Sequence, residues 1–141
     1  MNITLLGLAK KAGLLEIGEE SVARAVRNRK ACVVFTASDA SENAVRRAKQ
    51  LADLRRCPHV RLKATKEELG AIVGRRTPAI LAMTDAGLAH KVVSELAAED
   101  PKQYAADAER LRQMAERVTL RRKEAAAHLR TKRTGKRRTK Q

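Results

Sequence analysis

The sequence predicts an α/β fold with helices on both faces of a small sheet, followed by one long helix and a basic disordered tail. Three observations carry this. Two short, nearly continuous apolar runs, ACVVFTA at 31–37 and AILAMT at 79–84, fit strands covered on both faces, as in parallel sheets. Around them, apolar residues recur at helical spacing. Beyond residue 98 the apolar residues thin out and cations accumulate.

Taken in order, residues 3–12 gather Ile3, Leu5, Leu6, Leu8 and Ala9 into a short helix that Gly13 stops. Residues 14–17 read as a strand. Gly18 opens a second helix, to about Lys30, with Val22, Ala25 and Val26 inward. After strand 31–37, Asp39 followed by Glu42 resembles a capping box for a third helix, which breaks before Pro58. Residues 59–62 are a short strand. Thr65 and Glu68 form a second capping box, opening a helix that ends at Gly74. Residues 75–78 are a loop, 79–84 the last strand, and 86–97 the last helix of a domain covering residues 1–98. Asp100 at the N-cap, Pro101 at the first helical position and Gln103 then restart a helix to about residue 130. Its apolar stripe, Tyr104, Ala108, Leu111, Met114 or Ala115, Val118, Ala125 and Leu129, needs a partner: the domain, another copy or something external. Residues 131–141 hold no apolar side chain and read as a basic disordered tail.

The 141 residues carry a formal net charge of +15. Ten Lys and Arg against one acid, Glu124, lie within residues 119–141, so that segment attracts polyanions by charge alone. Phe35 and Tyr104 are the only aromatics, which argues against reading single strands by base stacking. Cys32 reads as a small core residue and Cys57 as part of a loop before Pro58. Two thiols, with an N-terminus whose lysines follow its apolar residues, lead to the expectation of a reducing, cytoplasmic setting. No apolar run approaches the roughly 18 residues of a membrane span, so no membrane partner is expected. The histidines His59, His90 and His128 lie in separate segments, and no phosphate-binding, dinucleotide or nucleophile-elbow motif occurs. A non-enzymatic protein without metal or cofactor is expected.

The run KAGLLEIGEESVARAV at 11–26, CVVFTASDASEN at 32–43, TKEELGAIVG at 65–74 and ILAMTD at 80–85 together resemble the kink-turn-binding "seven-Ae" ribosomal-protein family, which also contains the eukaryotic large-subunit protein thirty. The resemblance is to its bacterial YlxQ-type branch, with a basic C-terminal extension added. It implies a three-layer α/β/α sandwich with a four-stranded mixed sheet, and binding of structured RNA, ribosomal or otherwise noncoding, with the ribosome as a candidate partner. It also implies where RNA is gripped: at the junction matching Gly18, Glu19, Glu20 and Ser21, with Arg24 at the place of a following lysine, and at the loop Arg75, Arg76, Thr77 and Pro78. The family signature there is Gly-Ala-Asn-Glu, so Glu20 and Ser21 replace the Asn and Glu that read sheared G·A pairs, and Leu14 stands where a lysine is often found.

Each candidate also has a plainer reading. Glu19 and Glu20 suit the first turn of any helix, Arg24, Lys11 and Lys66 suit a solvated helix face, and Arg75–Pro78 suits a polar connection. Paired arginines in a tight loop still fit bidentate contact with phosphate or guanine. In the extension, Arg121, Arg122, Lys132, Arg133, Lys136, Arg137 and Arg138 are candidate phosphate contacts. The competing expectation is a protein-interaction adaptor whose RNA contact is only electrostatic, through the tail.

Overall fold

The computed structural model describes residues 4–74 and 77–138, with side chains to Lys132. The elements follow the expected order: α1 (Thr4–Lys11), β1 (Leu15–Ile17), α2 (Glu19–Arg27), β2 (Val33–Thr36), α3 (Glu42–Arg55), β3 (His59–Arg61), α4 (Lys66–Val73), β4 (Ile80–Met83), α5 (Ala86–Glu99) and α6 (Pro101–Arg138).

The four strands form one mixed sheet in the order β1-β4-β2-β3. β2 and β4 are buried along their whole length, which is why both read as unbroken apolar runs. Parallel pairing is not the cause: only β2 and β3 run parallel, while β4 is antiparallel to both β1 and β2. Burial on both faces comes from helices on both sides. Strand alternation deals Val33, Phe35, Leu81 and Met83 to the face covered by α1, α4, α5 and α6, and Val34, Ile80 and Ala82 to the face covered by α2 and α3.

Local chemistry sets most boundaries. Thr65 and Glu68 make the full capping box of α4. Asp39, however, does not cap α3. Ser41 does, accepting from Ala44 N, while Asp39 Oδ1 accepts from Lys66 N at 2.8 Å and so helps cap α4. The second helix ends at Arg27 rather than near residue 30, because Arg29 takes a left-handed conformation (φ 57°) that breaks the α-helical path.

The long helix α6 folds back on its own domain. Asp100 is the single residue separating it from α5, its principal neighbour, and the two form an antiparallel hairpin. Lys63 Nζ lies 3.4 Å from the Asp100 carboxylate at that corner. Tyr104 is buried, and its hydroxyl donates to Arg61 O at 2.5 Å. Arg61 lies between residues bonded to β2, so its carbonyl points away from the sheet and would otherwise be an open edge group. Six residues on, Arg110 Nη2 donates to Arg56 O, just before β3. The helix thus runs against β3, from the strand's end to its beginning. Leu111 is fully buried, and Ala108, Met114, Ala115 and Val118 pack on the same core. Leu120 and Leu129 are exposed, so docking ends near Val118. The helix continues to Arg138, past the expected end near residue 130. Lys and Arg are good helix formers, no proline intervenes, and the Thr131 hydroxyl returns to Ala127 O. Residues 139–141 of the expected disordered tail lie outside the described residues.

Docking of α6 predicts that Leu111→Ala costs about 2–5 kcal/mol, whereas Leu129→Ala stays within about 0.5 kcal/mol, by chemical denaturation. His59 supplies a pH test. Its Nε2 lies 2.9 Å from the buried Thr36 hydroxyl, and burial, then Lys49 and Arg61, lowers the imidazole from 6.5 to about 4. Between those values the unfolded chain holds a proton that the folded chain does not. Stability therefore falls as pH drops from 6.5 toward 4 and is fully present above 6.5. His59→Gln is expected to flatten that part of the stability–pH curve.

Candidate nucleic-acid interface

Because β4 runs against β1 and β2, its beginning meets their ends, and the end of β3 lies beside the end of β2. Four connections therefore gather at one pole of the sheet: the β1–α2 junction, the residues entering β4, the β2–α3 loop and the β3–α4 loop. Hydrogen bonds tie them in sequence across the pole. Gly18 N donates to Ile80 O at 2.9 Å, Ala37 N to Ala79 O at 3.0 Å, and Ser38 N to Ala64 O at 2.8 Å.

Gly18 turns the chain from β1 into α2 with φ 93° and ψ 157°, a conformation that only glycine enters readily. A Cβ there would meet nothing within 4 Å, so the backbone angle, not crowding, calls for glycine. Having no side chain, Gly18 cannot cap the helix, and the first-turn N–H groups of Glu19, Glu20 and Ser21 face the pole. Glu19 is turned aside: its Oε1 accepts from Arg47 Nε of α3 at 2.8 Å. Glu20 is exposed, Ser21 is half-buried, and Arg24 is exposed one turn after Glu20 on the same helix face.

Thr77 and Pro78 lie beside this junction, since β4 begins two residues later and pairs with β1. Thr77 is exposed and carries φ 33°, an unfavourable region for a β-branched residue. Pro78 is buried. Arg75 and Arg76 lie outside the described residues.

The remaining candidates are more scattered. Lys66 is at the same pole, held at the start of α4 by its bond to Asp39. Lys11 is not brought there: it is exposed ahead of β1, at the far end of that strand from Gly18. Its neighbour Lys10 has a structural task, donating to Val73 O at the end of α4. Arg121, Arg122 and Lys132 are exposed on α6. Arg133, Lys136, Arg137 and Arg138 continue its helical backbone, with side chains outside the described residues.

Two cations of the pole escape a sequence reading. Arg47 reaches the junction only because α2 and α3 pack side by side. Arg61 places Nε and Nη2 on Ser38 O, at 3.2 and 2.7 Å, bracing the β2–α3 loop. The Arg46–Arg47 pair on a helix was the one available signal, and it points to nothing without the packing. Among the described residues, no group of His, Cys, Asp and Glu is arranged to hold a metal, and no helix is long and apolar enough to cross a membrane.

This arrangement has counterparts. An RNA-binding protein YlxQ of Bacillus subtilis is 32% identical over 92 residues, spanning 65% of this chain and 91% of that one. An RNA-binding protein YlxQ of Enterococcus faecium is 35% identical over 89 residues, spanning 63% and 84%. Among solved structures, a protein of unknown function from Bacillus halodurans superposes with a TM-score of 0.56 at 30% identity, over 65% of this chain and 92% of that one. The 15.5 kD RNA-binding protein of Giardia lamblia superposes with a TM-score of 0.54, over 68% and 84%; at 15% identity this shows a shared fold. The sequence profile of the ribosomal protein L7Ae/L30e/S12e/Gadd45 family matches residues 4–93, the α/β domain without α6, and the chain belongs to that family.

Proposed function

We propose that this chain is a non-enzymatic RNA-binding protein whose α/β domain grips a kink-turn or related internal loop. The carrying observation is the bond from Gly18 N to Ile80 O. It holds a helix N-terminus without a side-chain cap beside Thr77 and Pro78, the residues that enter β4 at the same pole of the sheet. Free N–H groups at a helix start suit a phosphate, and exposed loops on a rigid scaffold are where recognition is usually built. The YlxQ relatives are named as RNA-binding proteins, which supports the same class of ligand.

The division of labour follows from charge. The junction carries Glu19 and Glu20, so it is suited to contacting base edges and oriented backbone rather than to attracting RNA from a distance. Attraction falls to the cations of α6, which are exposed from Arg121 to Lys132. Ribosomal RNA or another structured noncoding RNA fits this combination, with the ribosome as the assembly to examine. A cytoplasmic setting suits the two buried, unpaired thiols.

Binding to a kink-turn RNA and to an unbent duplex, measured across a range of salt, tests the reading. A preference for the kink-turn that survives high salt is expected, and equal affinity at every salt would sink the shape-specific part. Glu20→Asn with Ser21→Glu should strengthen kink-turn binding by about five-fold, since one further well-formed hydrogen bond is worth on the order of 1 kcal/mol. Removing residues 122–141 should lower the salt slope by about 0.7–0.9 for each phosphate no longer neutralised, with the preference between RNAs retained.

A further inference from the structure

At the opposite pole of the sheet, where β2 and β3 begin and β4 ends, α6 completes a second basic surface. Arg55 and Arg56, at the end of α3, face Arg110, Arg117 and Arg121 of α6 across a cleft floored by Cys32 and Ala86. The three α6 arginines are spaced i, i+7 and i+11, which places them on one side of the helix. They flank the apolar seam of Met114 and Val118 that holds the helix down. Among the described residues, no carboxylate lines the cleft. Asp107 is the acid turned toward Arg110, and burial raises its carboxyl above the ordinary value.

Two features separate this cleft from an ordinary solvated charge run. First, Arg55 Nε is buried without a hydrogen-bond partner among the described residues. A buried, orphaned guanidinium N–H is costly, and the Arg55 side chain that carries it lines the cleft, where an anion on its terminal nitrogens would offset part of that cost. Secondly, the cleft does not end at α3. Arg55 and Arg56 are shared with an adjoining depression lined by Arg27 and Arg29 at the end of α2. The result is a band of arginines crossing three helices. A single small anion would occupy one part of it, whereas a polyphosphate backbone would follow its length. Arginine forks match phosphate oxygens bidentately.

We propose that this band is a second RNA site, reading duplex backbone, so that one molecule holds two RNA segments at opposite ends of its strands. The inference rests on the proposed function only in taking RNA as the ligand class. It does not depend on the Gly18 junction recognising a kink.

The test uses the full-length chain and two double variants. Arg117→Gln with Arg121→Gln strips the cleft. Lys91→Gln with Lys102→Gln removes the same charge from exposed residues outside it. All four positions are exposed, and an unchanged thermal midpoint confirms that each variant is folded. Against a plain RNA duplex at about 0.1 M salt, the cleft variant is expected to lose about ten-fold or more in affinity, and the control about two-fold at most. Immobilised kink-turn RNA should capture a labelled plain duplex through the wild-type protein and fail to do so through the cleft variant. Equal losses in the two variants would mean diffuse charge alone and would overturn the second site. So would undiminished duplex binding by the cleft variant, or a cleft that binds poly-glutamate in preference to duplex. If the wild type shows no kink-turn preference but the two variants still differ on plain duplex, the junction reading fails and the second site stands.

Discussion

β4 lies between β1 and β2 and runs against both of them. The gathering of loops at the proposed RNA site depends on that insertion. A strand entering from the opposite direction must begin where its neighbours end, so the residues before β4 are delivered to the Gly18 junction and to the loop after β2. The backbone bonds of Gly18 with Ile80 and of Ala37 with Ala79 are the local record of this geometry. The strands themselves are short. They hold position because small and β-branched side chains fill both faces under helices, in a chain that has almost no aromatic residues to do so.

The second organising contact is the α5–α6 hairpin. An amphipathic helix with a narrow apolar stripe has little reason to be stable alone in water, and this one finds its partner within the same chain. Tyr104 at one end and Leu111 in the middle supply the burial, and the tyrosine hydroxyl also closes an open carbonyl of the edge strand β3. The consequence reaches beyond stability. Laid antiparallel along β3, α6 carries its first arginines to the pole opposite the Gly18 junction and projects its remaining cations past the domain. What composition presents as one basic tail is therefore two things: a wall of a cleft up to Arg121, and an exposed cationic helix after it.

Charge is distributed with similar economy. The pole at Gly18 keeps acids at its centre, and Arg47 holds Glu19 to one side, so local repulsion of anions is moderated. The opposite pole gathers arginines around a cleft whose described lining holds no acid. A protein with a net charge of +15 would attract polyanions however its charge were placed. The placement decides which surfaces a polyanion can use once it arrives.

The order of the elements, the two buried central strands and the Thr65 capping box were legible in the sequence. Each depends on periodicity or on residues three or four apart. The resemblance carried by residues 11–26, 32–43, 65–74 and 80–85 pointed to the Gly18 junction as well, because that glycine is needed by the backbone where it stands. Other features pair residues far apart along the chain. Asp39 caps α4 from 27 positions away, Arg47 reaches Glu19 across 28, Tyr104 meets Arg61 across 43 and Arg110 meets Arg56 across 54. Local propensity carries no record of such distances. The sequence by itself determined which segments become helix or strand and which faces of them are apolar. Strand order, the docking of α6 and the arginine band were decided only in the tertiary structure, because each depends on which buried faces can be satisfied at once.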